Sequence, residues 1–374
     1  MFLDKIEGKI MENTGNKKFY TFNFPKRRGR HYNNSKWVNI GGERKFFKYS
    51  PYEGDEGVLV GEIIVADICK ALDVPCVECE YATNNNFGRT HFGVLIKNFA
   101  SDEEEVLSLN QLANQCVIKK FLPYEKEINK ALFWAFPIKS QKIFGELSFL
   151  DKLYLISDIR RHLVDCSKFI EISSSSKAFI LGKVSREISN SLFYKNLIDI
   201  EEYKKIIEDY AEQNHLKIVD DIEFKLMQMA LVDAITGQYD RNDTNISVLI
   251  KDGKLRLAPM YDNGMCARFN NTIEDKINYH YYLLANQRMC FSDRQIEMLA
   301  NPNTKIGAFY KQIKAFQHSN EYKKILQDCE KKSPEVKVKN YWRSFSDAYV
   351  DGIYYLDSRI KNMKKEKAEK ALVR

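Results

Sequence analysis

Residues 222–236 read IEFKLMQMALVDAIT and are apolar almost all the way round a helix. Such a helix has no face to give to water, so the chain must build packed structure on every side of it. At 374 residues, 44% apolar and 29% charged, the protein has the material for a full core in one large domain or two smaller ones. Gly237 follows directly and is placed to end the helix in a left-handed conformation. The polar loop QYDRNDTN comes next, then strand-like ISVLI, the turn KDGK and a returning LRLAP. Asp252-Gly253 between two apolar runs is a strong hairpin signal.

That hairpin gathers polar residues. With the turn at Asp252-Gly253, residues pair when their numbers sum to about 505, so Asn245 lies opposite roughly Met260, two residues from Asp262. Both come to the open end of the ribbon, and Asp240 sits in the loop leading into it. Two carboxylates and an amide oxygen at one point repel unless a cation joins them. An all-oxygen set suits Mg²⁺, which keeps waters and substrate phosphate as its other ligands. The bland alternative stays open: Asp240 caps a turn, and Asn245 and Asp262 simply end the hairpin.

Up to about residue 97 the pattern is mostly β. KKFYTFNF, KWVNIGG and KFFKYS read as strands, EGVLVGEIIVADICKALDV as a helix of about four turns, and PCVECEYA with THFGVLIKNF as a strand–turn–strand across TNNNFG. From about residue 105 onward the text turns helical. The fold class is therefore α+β, with a β-rich part at 1–97 and a large helical part at 98–374, packed together without a flexible linker. Eight cysteines are thinly spread, and Cys76 and Cys79 have C-x-x-C spacing with no second pair; Val77, Cys79 and Tyr81 alternate with Glu78 and Glu80 as on a half-buried strand, so core cysteine is favoured over zinc ligand. No apolar run approaches the ~20 residues of a membrane span, and the N-terminus lacks the order of a signal peptide. A cytoplasmic protein is expected, with export by a route that uses no signal peptide left open. The tail SRIKNMKKEKAEKALVR carries a net +5 in 17 residues; a solvated, fraying helix end is favoured over an arm for nucleic acid or another acidic partner.

GQYDRNDTN, a short hairpin and then APMYDNG together resemble the catalytic core of the HipA-like serine/threonine kinases, most of all their compact bacterial members of the CtkA type. Those cores read broadly G-N-x-D-R-H-x-x-N followed by A-P-x-x-D. Phosphatidylinositol kinases share a similar element, so the motif does not fix the substrate. KFFKYSP resembles the strand with the ATP-binding lysine, making Lys48 the candidate, and GEIIVADICKALDVPCVECEYA resembles the S-E-x-x-A helix, making Glu62 its partner. GVLIKNF resembles the segment joining the lobes, whose backbone bonds adenine, which points to Ile96, Lys97 and Phe99. The resemblance covers about residues 40–110 and 222–270 well, and 140–220 and the last hundred residues weakly.

The resemblance implies a two-lobed kinase fold and an ATP- and Mg²⁺-dependent transfer to a protein Ser or Thr, with autophosphorylation. Lys48 would neutralise α- and β-phosphate charge with Glu62 holding it; Asp240 would take the proton of the attacking hydroxyl; Asn245 and Asp262 would hold Mg²⁺. The loop KRRGRHYNNSK, with Arg27, Arg28 and Arg30, would cover the phosphates, and Ser35 in it is a candidate autophosphorylation site. The family's histidine is Asn242 here, and its S-E pair is Gly61-Glu62. On a helical wheel Glu62 falls at the edge of the polar arc of Asp67, Lys70 and Asp73, where a solvated glutamate is equally allowed. Competing readings are a lipid or small-molecule kinase of the phosphatidylinositol-kinase kind and a nucleotide-binding pseudokinase.

Overall fold

A computed structural model describes residues 9–13, 17–22, 34–49, 56–86, 89–126, 147–148, 152–153, 198–238, 241–264, 266, 289–332 and 341–372. Within these, β1 (Lys9–Asn13), β2 (Lys17–Phe22), β3 (Asn34–Ile40), β4 (Glu43–Tyr49), β5 (Cys79–Asn86) and β6 (Arg89–Lys97) form one sheet in the order β1-β2-β5-β6-β4-β3. Helix α1 (Glu56–Ala71) runs between β4 and β5. β3 turns into β4 through Gly41-Gly42, with φ of 60° and 85°; two consecutive left-handed residues match the twist of a two-residue hairpin and call for glycine. Ser35 therefore lies on β3, not in the preceding loop, and Thr83–Asn86 extend β5 instead of forming the turn. Cys76 stands outside β5 and makes an isolated bridge to Met260.

A second sheet, β7-β10-β11-β9, joins β7 (Glu105–Ser108), β9 (Lys217–Ile218), β10 (Ser247–Lys251) and β11 (Lys254–Leu257). β8 (Ile198–Asp199) pairs with β12 (Met289–Cys290). Residues 105–108, expected to open a helical region, are drawn into β-structure by pairing with β10. The β10–β11 register, Val248↔Leu257 through Lys251↔Lys254, is the one the Asp252-Gly253 turn dictates.

The helices are α2 (Leu109–Phe121), α3 (Ile200–Gln213), α4 (Ile222–Thr236), α5 (Asp293–Ala300), α6 (Lys305–Phe316), α7 (Asn320–Lys332) and α8 (Tyr341–Leu372). α2 and α5 open on reciprocal capping boxes, Ser108 with Gln111 and Ser292 with Gln295. α4 has its expected bounds, Asp221 as N-cap and Gly237 at φ 67° as C-cap. The basic tail continues α8 to Leu372, with Lys367 Nζ 2.6 Å from Glu297 of α5. Among the described residues no helix is long and apolar enough to cross a membrane.

The main core surrounds α4. Leu226, Leu231 and Ile235 of α4 pack with Tyr203 and Ile207 of α3, Ile306 and Ile313 of α6, and Phe345 and Tyr349 of α8. One side of α1 (Val60, Ile64, Ile68) and Leu72 just after it join this same core, and α7 packs against α1. On β5, the Tyr81 hydroxyl lies 2.9 Å from Cys329 Sγ of α7. The first sheet has its own small core on the face turned away from α1, made of Val38, Phe47, Tyr49, Ala82 and Leu95.

α8 approaches α4 closely because Gly352 has no side chain: a Cβ there would stand 2.3 Å from the Ala234 carbonyl oxygen. Gly352→Ala should therefore force the two helices apart and cost about 1–3 kcal/mol by overpacking. Chemical denaturation would show this as a lower midpoint, and an unchanged midpoint would mean the α4–α8 contact can relax freely.

Candidate active site

Residues alternate across β4, so Phe47 turns to the outer core while Lys48 turns to the α1 side. There Lys48 Nζ donates to Glu62 Oε1 at 2.8 Å and to Asp262 Oδ1 at 2.7 Å. Glu62 is fully buried, and its other oxygen accepts the Asn263 backbone N–H at 2.8 Å. The helical wheel permitted a solvated glutamate; packing of α1 between the sheet and the helical core removes the water. Burial works against the Lys48 charge, but Glu62 and then Asp262 outweigh it and hold the ammonium above its ordinary value. The sign follows: a raised folded-state value means the contribution is full below the ordinary 10.5 and is lost only as pH climbs beyond it.

Gly61 lets Asp262, Asn263 and Gly264 reach α1. A Cβ at position 61 would lie 2.7 Å from Cys266 Sγ and 3.0 Å from the Gly264 carbonyl oxygen, so glycine is a packing requirement of this chain. Asp262 itself is left-handed, at φ 53°.

Arg241 ties the rest together. It is 2% exposed and grips Asp233 of α4 with two bonds of 3.0 Å. Nη1 donates to the carbonyls of Asn245 at 3.2 Å and Tyr261 at 2.7 Å, and Nη2 donates to Asn263 Oδ1 at 2.5 Å. One guanidinium thus holds the backbone of Asn245 next to the strand that delivers Asp262. Burial pushes the Asp233 carboxyl up, with Arg241 pulling against it; burial likewise opposes the Arg241 charge, but Asp233 prevails and keeps it firmly protonated. Gln238 Nε2 donates to the Asp262 carbonyl at 3.0 Å. Asp240 lies outside the described residues, as do Arg27, Arg28 and Arg30. Asn242 accepts the Thr244 N–H at 2.9 Å and the Thr244 hydroxyl, a local turn that orders the loop.

Ile96 is buried on β6 and packs with Leu59, Ile63 and Val94. The Lys97 N–H donates to the Glu78 carbonyl at 3.0 Å, while its side chain reaches into solvent toward Glu78. Phe99 stacks on Tyr261, centroids 5.4 Å apart and planes 16° off parallel. The fold thus brings Lys48, Glu62 and Asp262 into direct contact, Asn245 beside them through Arg241, and Phe99 through Tyr261. Sequence reasoning did not single out Arg241, Asp233, Gln238 or Asn263. The available signal was Asp233, a carboxylate near the end of a helix that had to be buried, with an arginine eight residues on.

The thiols nearby are packing groups. Burial, followed by Glu62, raises Cys79 and Cys266 well above the ordinary thiol range.

No family model and no curated protein matches the chain. Among solved structures it is similar to CtkA, a proinflammatory kinase of Helicobacter pylori, with a TM-score of 0.45 and 12% identity over 89% of this chain and 95% of that one. It is also similar to HipA of Shewanella oneidensis MR-1, solved with HipB and operator DNA, with a TM-score of 0.36 and 10% identity over 90% of this chain and 65% of that one.

Asp233→Ala should leave Arg241 buried without its counter-ion and cost about 3–5 kcal/mol. Asp233→Leu with Arg241→Met should recover part of that loss in a denaturant titration. Full additivity of the two single changes would show that the pair is not coupled.

Proposed function

We propose that this chain is a two-lobed, ATP- and Mg²⁺-dependent kinase that transfers the γ-phosphoryl group to a serine or threonine hydroxyl of a protein, its own included. The observation that carries this reading is the buried Lys48–Glu62 pair closed onto Asp262. Phosphoryl transfer asks the protein for positioning and charge more than for covalent participation. A strand lysine fixed by a helix glutamate beside an aspartate supplies both.

Residues 1–97 are proposed as the nucleotide-binding lobe and 98–374 as the catalytic lobe. In support, the six-stranded sheet ends at Lys97 and the strands of the other sheets begin at Glu105. In this reading Lys48 keeps its bond to Glu62 and exchanges Asp262 for α- and β-phosphate oxygens. Asp240 accepts the proton of the attacking hydroxyl. The half-exposed Asp262 carboxylate and the side-chain oxygen of Asn245 form an all-oxygen donor set that fits a hard cation. Bound there, Mg²⁺ would offset charge on the transferring phosphates. Ile96 would pack under the base. With the Lys97 N–H engaged by Glu78, backbone bonding to the base falls to the Lys97 carbonyl and to Phe99.

The test is transfer from γ-labelled ATP with Mg²⁺, offered protein and inositol-lipid acceptors in parallel. Lys48→Met and Asp240→Ala should each lower labelling of Ser or Thr at least about a hundredfold, equivalent to ~2.7 kcal/mol of transition-state stabilisation. Label on lipid alone would replace the protein-kinase reading with a lipid-kinase one. Nucleotide binding with no transfer to any acceptor would leave a pseudokinase.

A further inference from the structure

Tyr261 stands immediately before Asp262, and both its backbone and its side chain are tied to the segment that carries Asn245. Its carbonyl accepts from Arg241 Nη1 at 2.7 Å, and the same nitrogen donates to the Asn245 carbonyl at 3.2 Å. Its hydroxyl lies 2.7 Å from the Thr244 carbonyl and 2.7 Å from Ser247 Oγ. A carbonyl can only accept, so the phenolic proton goes to Thr244, and Ser247 donates to the phenolic oxygen. Ser247 is buried at the start of β10, where a hydroxyl without a partner is costly.

These bonds fix the chain on both sides of Asn245. The carbonyl before it is that of Thr244, held by Tyr261, and its own carbonyl is held by Arg241. The Asn245 N–H donates to the Asn242 carbonyl at 2.9 Å, and the Ile246 carbonyl accepts the Leu109 N–H at 2.9 Å. Phe99 keeps the Tyr261 ring in place, stacked on it with centroids 5.4 Å apart. One side chain therefore grips the Asn245 segment while the backbone that bears it delivers Asp262 as the next residue. The ring accounts for the packing against Phe99; what the oxygen adds is a fixed distance between two segments.

We propose, on the metal assignment of the kinase reading above, that the Tyr261 hydroxyl is a positioning group that sets the spacing between Asn245 and Asp262. Mg²⁺ demands near-ideal octahedral placement of its oxygens, so a loosened Thr244–Ser247 segment costs metal affinity before it costs nucleotide affinity. Arg241 holds the same two segments, but its buried pair with Asp233 also anchors the fold. The phenolic oxygen is the part that can be removed while the ring stays.

Equilibrium binding to the full chain separates the two affinities, with Mn²⁺ as a paramagnetic stand-in for Mg²⁺ and ADP as the nucleotide. Tyr261→Phe loses two neutral hydrogen bonds and should weaken Mn²⁺ binding in the presence of ADP about tenfold, leaving ADP binding in chelator unchanged. Ser247→Ala spares the bond to Thr244 and should weaken Mn²⁺ by a smaller factor, adding little when combined with Tyr261→Phe. In the transfer assay Tyr261→Phe should need more Mg²⁺ and recover most of its turnover when Mg²⁺ is raised. Unchanged Mn²⁺ affinity in Tyr261→Phe, or equal losses of Mn²⁺ and metal-free ADP, would overturn the positioning role. Mn²⁺ binding that Tyr261→Phe weakens, in a wild type that transfers no phosphate to any acceptor, would support the role while removing the kinase reading. A wild type that binds no Mn²⁺ would overturn the metal assignment and this inference together.

Discussion

Everything around the site depends on one buried carboxylate. Glu62 has no exposure, and an ion in that position is tolerated only if each oxygen has a partner. One oxygen meets Lys48 and the other meets the backbone of Asn263, so three distant segments of chain must arrive together or the helix carrying Glu62 cannot be buried. The compensation makes the arrangement specific. Moving β4, α1 or the Asp262–Gly264 segment leaves an uncompensated charge in a dry interior. Gly61 belongs to the same constraint, because the segment that satisfies Glu62 can reach α1 only where no Cβ intervenes.

Arg241 repeats this logic one layer deeper. Its bond to Asp233 anchors it to the most buried helix, and its remaining donors go to the carbonyls of Asn245 and Tyr261 and the side chain of Asn263. Asn263 is shared: its N–H serves Glu62 and its side-chain oxygen serves Arg241. Two buried ion pairs are thereby linked through one residue, and a rigid helix sets the position of Asp262. The loop at Asn242–Thr244 keeps its shape by a local turn, the Asn242 side chain accepting the Thr244 N–H.

The helix carrying Glu62 is also braced from behind. Its inner side belongs to the same core as α4 and α8, α7 packs on it, and β5 touches α7 at Tyr81 and Cys329. The Lys48–Glu62 pair is thus supported by the C-terminal helices as well as by the sheet. Moving α1 away would expose apolar surface shared with much of the molecule.

The sequence by itself determined the local events. The apolar period fixed α4 and the need to bury it, Gly237 its end, and Asp252-Gly253 the hairpin register, because backbone preference and side-chain period act over a few residues. The pairing rule of that hairpin brought Asn245 toward Asp262, and the resemblance nominated Lys48 and Glu62. Tertiary structure decided the rest. It drew residues 105–108 into a strand because β10 offered them a partner, and it placed Ser35 on an edge strand through a two-glycine turn. It buried Glu62, which the helical wheel had left free to be solvated, because burial is set by what packs outside the helix and not by the helix's own period. It also gave Arg241 and Asp233 their role, since the worth of a buried ion pair depends on distant groups that no local pattern encodes.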